Sequence, residues 1–272
     1  MISLTDQEFL TLTSYIKERY GINLTKKRVL IEGRLSNMLR ERGFATFGEY
    51  FNMVFNDASG SEIKNLLNKL TTNHTYFMRE VEHFEYMKSH ILPQLAASRA
   101  SSRDLRIWSA GCSTGQEPYN IAMIVDEFFG SQKHLWDTTI LATDLSVNVL
   151  EKAKLGIYPA ESLNEVPPDW TGRYFIKRPD GTVQVNEKIR QEVVFKHFNL
   201  MDPFVYKKPF DLIFCRNVMI YFDAPTKEAL VNKFYQSTAK GGYLLIGHSE
   251  VLNKESCRYR YVKPAIYQKG TE

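Results

Sequence analysis

Two periodicities divide the chain. Up to about residue 95, apolar positions recur at three- and four-residue spacing, the pattern of helices with one buried face. Phe9, Leu10, Leu12, Tyr15 and Ile16 share one side of a segment that Thr5 or Asp6 can cap and that ends near Gly21. A second helix after Thr25 carries Leu30, Ile31, Leu35, Met38 and Leu39 within a half-circle and stops at Gly43. Shorter helical patterns run from Phe47 to Phe55, from Glu62 to Leu70 and from Glu82 to Leu95. The polar run Ser98–Asp104 reads as a linker.

From Leu105 the pattern changes to short apolar runs alternating with helical segments. Strands are expected at Leu105–Trp108, Thr139–Thr143, Val193–Phe198, Phe210–Cys215, Tyr243–Ile246 and within Tyr261–Gln268. Helices are expected at Pro118–Phe129, Val147–Leu155 and Thr226–Ala239. Such alternation predicts an α/β fold with a parallel sheet covered on both faces. Arg173–Arg178 and Thr182–Val185 flank the turn Pro179-Asp180-Gly181 and read as a hairpin appended to that sheet. The expected organisation is a helical domain over residues 1–90, a linker over 91–104 and an α/β domain over 105–272.

The candidate chemistry starts in the first strand-to-helix loop. Ser109, Ala110, Gly111, Ser113, Thr114 and Gly115 are small, and Pro118 suits a first helical turn. Close backbone approach and free N–H groups at a helix start suit a nucleotide-type ligand. The loop is neither G-x-G-x-x-G nor a P-loop, because no Lys follows Gly115. A nucleoside without phosphates is therefore the better expectation. Asp144 closes the second strand, where a carboxylate can accept both ribose hydroxyls; capping the next helix is the plainer alternative. Arg216 and Asn217 follow the fourth strand at its carboxyl edge, with Tyr221 one helical turn on, although Arg216 could simply pair with Glu250 or Asp223. Asn199 and Leu200 end the third strand, suited either to an adenine edge and face or to a turn with Asp202-Pro203. Leu70–Arg79 is dense in hydrogen-bonding side chains, which could be capping alone.

Composition narrows the classes. A formal net charge of +4 is too small to mark a nucleic-acid binder. The three scattered cysteines, Cys112, Cys215 and Cys257, form no metal or disulfide framework and fit a reducing compartment. His74 and His248 have no partner at metal-ligand spacing, so both read as structural and no metal is expected. The chain start lacks a signal-peptide pattern, and no apolar stretch spans a bilayer, which predicts a cytoplasmic protein without membrane insertion. Basic residues gather between Lys26 and Arg42, with Arg28, Arg34 and Arg40 among them; a solvated helix is the default and an acidic partner the alternative.

Five strings together resemble the chemotaxis receptor methyltransferases of the CheR type. They are Leu70-Thr-Thr-Asn73, Trp108-Ser-Ala-Gly-Cys-Ser-Thr-Gly-Gln-Glu-Pro-Tyr119, Ala142-Thr-Asp144, Cys215-Arg-Asn-Val-Met-Ile-Tyr-Phe222 and Gly247-His-Ser-Glu250. The resemblance covers nearly the whole chain. It implies an N-terminal all-helical domain and a Rossmann-like methyltransferase domain with a small β-subdomain inserted at about 157–192. It further implies an S-adenosylmethionine-dependent enzyme, releasing S-adenosylhomocysteine, that methylates glutamate carboxylates on the cytoplasmic helical region of methyl-accepting chemoreceptors. Carried over, the cofactor contacts are Asn73, Thr75, Arg79, Glu117, Asp144, Asn199, Leu200, Arg216 and Asn217. Arg79 and Tyr221 are the candidate catalytic donors, since a carboxylate already ionised near neutral pH needs alignment and desolvation more than a base. Two loop positions depart from the family pattern: Gln116 stands where Glu is usual, and Gly111 where Ala is usual, the latter expected to be harmless. The short hairpin turn predicts recruitment without a C-terminal pentapeptide tether. A monomer recruited to receptor arrays is expected, with the basic helix Lys26–Arg42 as the candidate receptor contact. The competing readings are a non-catalytic S-adenosyl ligand sensor and a methyltransferase for RNA or a small molecule.

Overall fold

The structure, a computed structural model, describes residues 2–71 and 73–271, so Thr72 of the Leu70–Asn73 string lies outside the described residues. The chain divides into two compact units, Met1–Asn73 with Tyr221–Thr226, and His74–Ile220 with Lys227–Glu272.

In the first unit, α1 (Asp6–Tyr20), α2 (Arg28–Glu41), α3 (Phe47–Asn56) and α4 (Ser61–Leu70) follow the expected periodicity. Thr5 caps α1 through a capping box with Glu8, and Gly21 closes it at φ 72°, a left-handed conformation that glycine adopts without a Cβ clash. Leu12, Ile16, Ile31, Leu35, Leu39, Phe47 and Phe51 are buried together in this unit. Leu10, expected on the apolar side, is 57% exposed because it lies at the edge of the arc. Several basic residues of α2 are committed to the fold. Arg28 pairs with Asp6, and Arg42 with Glu62 at 2.7 Å. Arg34 donates to the carbonyls of Lys69, Leu70 and Thr71 at 3.1–3.2 Å, satisfying the C-terminal end of α4. Lys26, Lys27 and Arg40 remain exposed.

The second unit opens with α5 (Val81–Tyr86), which runs through a π-turn at Met87–Ile91 into α6 (Leu92–Ser98). A single helix over Glu82–Leu95 was expected, and Pro93 explains the widening. Its ring would clash with an α-helical carbonyl four residues back, and it has no N–H to donate. The Leu92 N–H bonds Met87 O, while the Ser89 hydroxyl takes up Glu85 O at 2.6 Å. Phe84, Met87, Ile91, Leu92 and Leu95 are buried in the same core as Ile107, Ile121 and Phe214. Much of the stretch read as helical domain and linker therefore belongs to the α/β unit, and the division falls after Asn73 and not at residue 90.

The main sheet contains β1 (Ile107–Ala110), β2 (Ile140–Asp144), β6 (Val193–His197), β7 (Phe210–Cys215), β8 (Thr238–Ile246), β9 (Arg260–Lys263) and β10 (Ile266–Gln268). Its order is β6-β2-β1-β7-β8-β10-β9; the first five strands are parallel, β10 runs antiparallel to them, and β9 pairs antiparallel with β10. β8 takes in Thr238 and Ala239, which periodicity alone had left in the preceding helix. α7 (Gln116–Phe129) follows β1, α8 (Val147–Leu155) follows β2, and α11 (Ala224–Ser237) precedes β8. The link from β6 to β7 has no helix. Phe198, Phe204 and Tyr206 instead pack on Trp108, whose indole N–H bonds Thr143 Oγ1 at 2.9 Å.

The appended element is a separate sheet, as expected, but it has three strands. β3 (Ile157–Pro159), β4 (Phe175–Lys177) and β5 (Thr182–Val185) pair antiparallel in the order β3-β5-β4. Arg173 and Tyr174, read as strand, end the short helix α9 (Pro168–Tyr174), and α10 (Glu187–Arg190) completes the insertion. Buried Asp126 of α7 anchors it, accepting from the Tyr174 hydroxyl at 3.2 Å and pairing with Lys188 at 2.6 Å.

Candidate active site

Three parallel strands end side by side, and each delivers a polar residue to the carboxyl edge of the sheet, where open α/β sheets bind their ligands. The loop after β1 turns twice through left-handed glycines, Gly111 at φ 87° and Gly115 at φ 95°. A Cβ at Gly115 would lie 2.9 Å from Ala153 Cβ, so the tight packing of this loop on α8 requires glycine. A Cβ at Gly111 would lie 2.3 Å from Val218 Cγ2. Glycine fits this left-handed position, and alanine would require Val218 to shift. Gln116 accepts from the Thr114 hydroxyl at 2.8 Å, a local tie that stiffens the start of α7.

Asp144 sits at the tip of β2. Its Oδ2 accepts the Ser113 N–H at 2.9 Å and its Oδ1 the Ser146 N–H at 2.8 Å. Capping of α8 falls to Ser146, whose hydroxyl accepts from Val149 N–H, so the plainer alternative for Asp144 does not hold. Burial pushes the Asp144 carboxyl above its ordinary range, against the pull of the Ser146, Ser113 and Leu145 N–H groups.

Arg216 is the hub of the edge. Its side chain is 2% exposed, and its guanidinium joins two carboxylates: Nη1 reaches Glu117 at 3.2 Å, and Nη2 reaches Glu80 at 3.1 Å. Nη2 also donates to Arg79 O. Glu250 and Asp223, the partners considered from sequence, are engaged elsewhere. Glu250 accepts the N–H groups of Asn217, Ile220 and Gly247, and Asp223 pairs with Lys17 at 2.7 Å within the first unit. Glu117 also accepts from Ser109 Oγ at 2.7 Å; burial raises its carboxyl, with Arg216 opposing. Asn217, at φ 58°, donates from Nδ2 to Glu80 at 3.2 Å.

Glu80 is the residue sequence reading missed. It stands in the left-handed region at φ 55°, and its carboxylate gathers Arg216, the Asn217 amide and the His248 N–H. Burial alone would raise this carboxyl, but Arg216 and those hydrogen bonds hold it below the ordinary range. Its partners lie 136 to 168 residues away, so only the unusual Arg79-Glu80 pair ahead of a helix hinted at it.

The remaining candidates are placed as follows. Arg79 is half-buried; its guanidinium donates to His74 O at 2.9 Å and lies 5.9 Å from the Tyr76 ring centroid. Thr75 is half-buried in the same segment. Asn199 forms the turn considered as the alternative, its Oδ1 accepting from Met201 N–H at 3.0 Å and its carbonyl from Asp202 N–H at 2.9 Å. Leu200 is buried. Asn73 and Tyr221 belong to the first unit, where Asn73 is exposed and Tyr221 accepts the Asn23 N–H on its carbonyl at 2.8 Å.

Comparison with known proteins agrees with the resemblance. Residues 73–267 match the family model described as CheR methyltransferase, SAM binding domain, and residues 7–71 the CheR methyltransferase all-alpha domain. A chemotaxis protein methyltransferase of Borreliella burgdorferi is 43% identical over 99% of this chain and 96% of that protein. One from Escherichia coli is 35% identical over 98% of this chain and 92% of that protein. A probable chemotaxis protein methyltransferase of Rhizobium etli is 37% identical over 92% and 98%.

Proposed function

The chain belongs to the CheR methyltransferase family, and from that premise we propose that it forms methyl esters on glutamate side chains of bacterial chemoreceptors, using S-adenosylmethionine. The observation that carries this reading is the donor set at the sheet edge. Three carboxylates, Glu80, Glu117 and Asp144, accompany one committed guanidinium, beside a glycine loop without a lysine. That set suits a nucleoside that carries positive charge and no phosphate, which fits the sulfonium cofactor of the family's binding domain.

The cofactor supplies a methyl group activated by the sulfonium. This chain's residues hold and align it. Asp144 has lone pairs left for ribose hydroxyls while its N–H partners fix its orientation. Glu117, steadied by Ser109 and Arg216, faces the cationic end. Arg216 acts through Glu117 and Glu80, since most of its donors are already spent on protein groups. A receptor glutamate is ionised near neutral pH, so no general base is needed. The barrier falls through alignment and loss of the carboxylate's water shell, effects that reach about 7–11 kcal/mol. Arg79, with a single side-chain hydrogen bond among the described residues, keeps donors to orient that carboxylate.

The decisive assay is transfer of labelled methyl groups to cytoplasmic receptor fragments. Base-labile incorporation is expected, and it is expected to vanish when the acceptor glutamates are replaced by glutamine. Persistent absence of label with cognate receptors refutes the assignment. Arg79→Ala is expected to slow turnover with cofactor affinity retained. For receptor recognition through the basic helix, Lys26→Glu with Arg40→Glu is the informative variant, because Arg34 closes α4. It should raise the KM for receptor and leave cofactor affinity unchanged.

A further inference from the structure

His83, in the first turn of α5, is 1% exposed, and neither of its ring nitrogens has a hydrogen-bond partner among the described residues. Leaving a buried polar group unsatisfied is costly, so this ring is placed for a partner that the described groups do not supply. Two other side chains converge on it. Nδ1 lies 3.4 Å from Oε2 of Glu80, and the ring of exposed His248, just beyond β8, stands at 70° with centroids 4.6 Å apart. One ligand atom from each of the three residues lies within 4.8 Å of the others.

The 3.4 Å separation does not act as a hydrogen bond, since His83 Nδ1 stays unsatisfied. It has the length expected between two ligands of one ion. Atoms about 2.0–2.1 Å from a tetrahedral zinc stand about 3.3–3.4 Å from each other. The charges agree with this. Glu80, Glu117 and Arg216 together carry one net negative charge, so a dication is attracted to the group despite the guanidinium.

We propose that Glu80, His83 and His248 form a binding site for a divalent metal ion that prefers nitrogen ligands, zinc being the best match. Two imidazoles and one carboxylate are a recurrent zinc set, with solvent at the fourth position on the exposed His248 side. Oε2 of Glu80 also accepts from Arg216, so the ion and the guanidinium share one oxygen. Metal occupancy therefore acts on the same carboxylate that orients Arg216 and Asn217.

The test uses untagged full-length protein stripped with a chelator and dialysed. Zinc is titrated in competition with a chromophoric chelator, and cobalt is added separately to read the visible spectrum of a four-coordinate site. One equivalent is expected to bind. His248→Ala, at an exposed ring, should weaken binding at least tenfold, since even outer-shell partners of metal ligands are worth about 10–100-fold. His83→Gln should do the same and abolish the cobalt spectrum, with circular dichroism checking that the chain is folded. Absence of stoichiometric binding to the wild-type chain overturns the proposal, as does unchanged affinity in His248→Ala. Neither readout depends on methyl transfer.

Discussion

Replacing Arg216 by methionine keeps much of the side-chain volume and removes the charge that joins Glu80 to Glu117. Both carboxylates are 14% exposed, and the guanidinium only 2%. Removing one partner of a buried ion pair costs about 3–5 kcal/mol, because the other charge is left buried and uncompensated. Here Glu117 keeps its bond from Ser109, and Glu80 keeps those from Asn217 and His248, which places the expected loss near about 3 kcal/mol. For a unit of this size that corresponds to a fall in Tm of about 6–12 °C. All three tryptophans, Trp108, Trp136 and Trp170, lie in the second unit, so urea unfolding followed by tryptophan fluorescence reads this unit alone.

The deficit also has a pH signature. In the wild type, Arg216 helps depress the Glu80 carboxyl, a contribution present above the unfolded value and lost as pH falls through the folded one. In the variant, Glu117 rises further from its already raised position, so its folded form takes up a proton earlier and stability recovers on acidification. The gap between wild type and variant should therefore narrow from neutral pH to about pH 5. Adding Glu80→Gln and Glu117→Gln to the variant should restore part of the loss. A deficit below about 1 kcal/mol at neutral pH, or one that ignores pH, would show that Arg216 is not a buried electrostatic hub.

Two further outcomes follow from the loop and strand ends. Asp144→Asn should weaken cofactor binding about 10- to 100-fold by calorimetry, the loss of one or two hydrogen bonds to a charged acceptor. Because the Asp144 carboxyl is raised, wild-type affinity should start to fall on acidification above the ordinary carboxylate range, and the asparagine variant should lack that limb. Gly111→Ala places a Cβ against Val218 at a left-handed residue, so thermal unfolding should report a loss of about 1–3 kcal/mol. An unchanged Tm would mean the loop relaxes freely.

What sequence could reveal here was local or strand-terminal. The Thr5 cap, the Gly21 stop and the position of Asp144 all depend on neighbours within a few residues, and each could be read directly. Partnerships could not. Arg216 meets Glu80 and Glu117, not the nearer Glu250, because strand order brings β1 beside β7 while α5 packs across the sheet. His248 looks isolated along the chain, yet its ring lies against His83. The helix that Pro93 widens into a π-turn and the extension of β8 through Thr238 escaped for another reason: tertiary packing overrode a local pattern that suited more than one conformation.

Glu250 has a consequence of a different kind. Its carboxylate holds the turn after β7 through the backbone N–H groups of Asn217 and Ile220, and its own loop through that of Gly247. Every residue except proline offers that donor, so the turn's hold at position 220 does not depend on the side chain there, and that of Ile220 is exposed. The rim of this site can therefore change at position 220 without redesign of its backbone, whereas the acid that holds the turn has no such latitude.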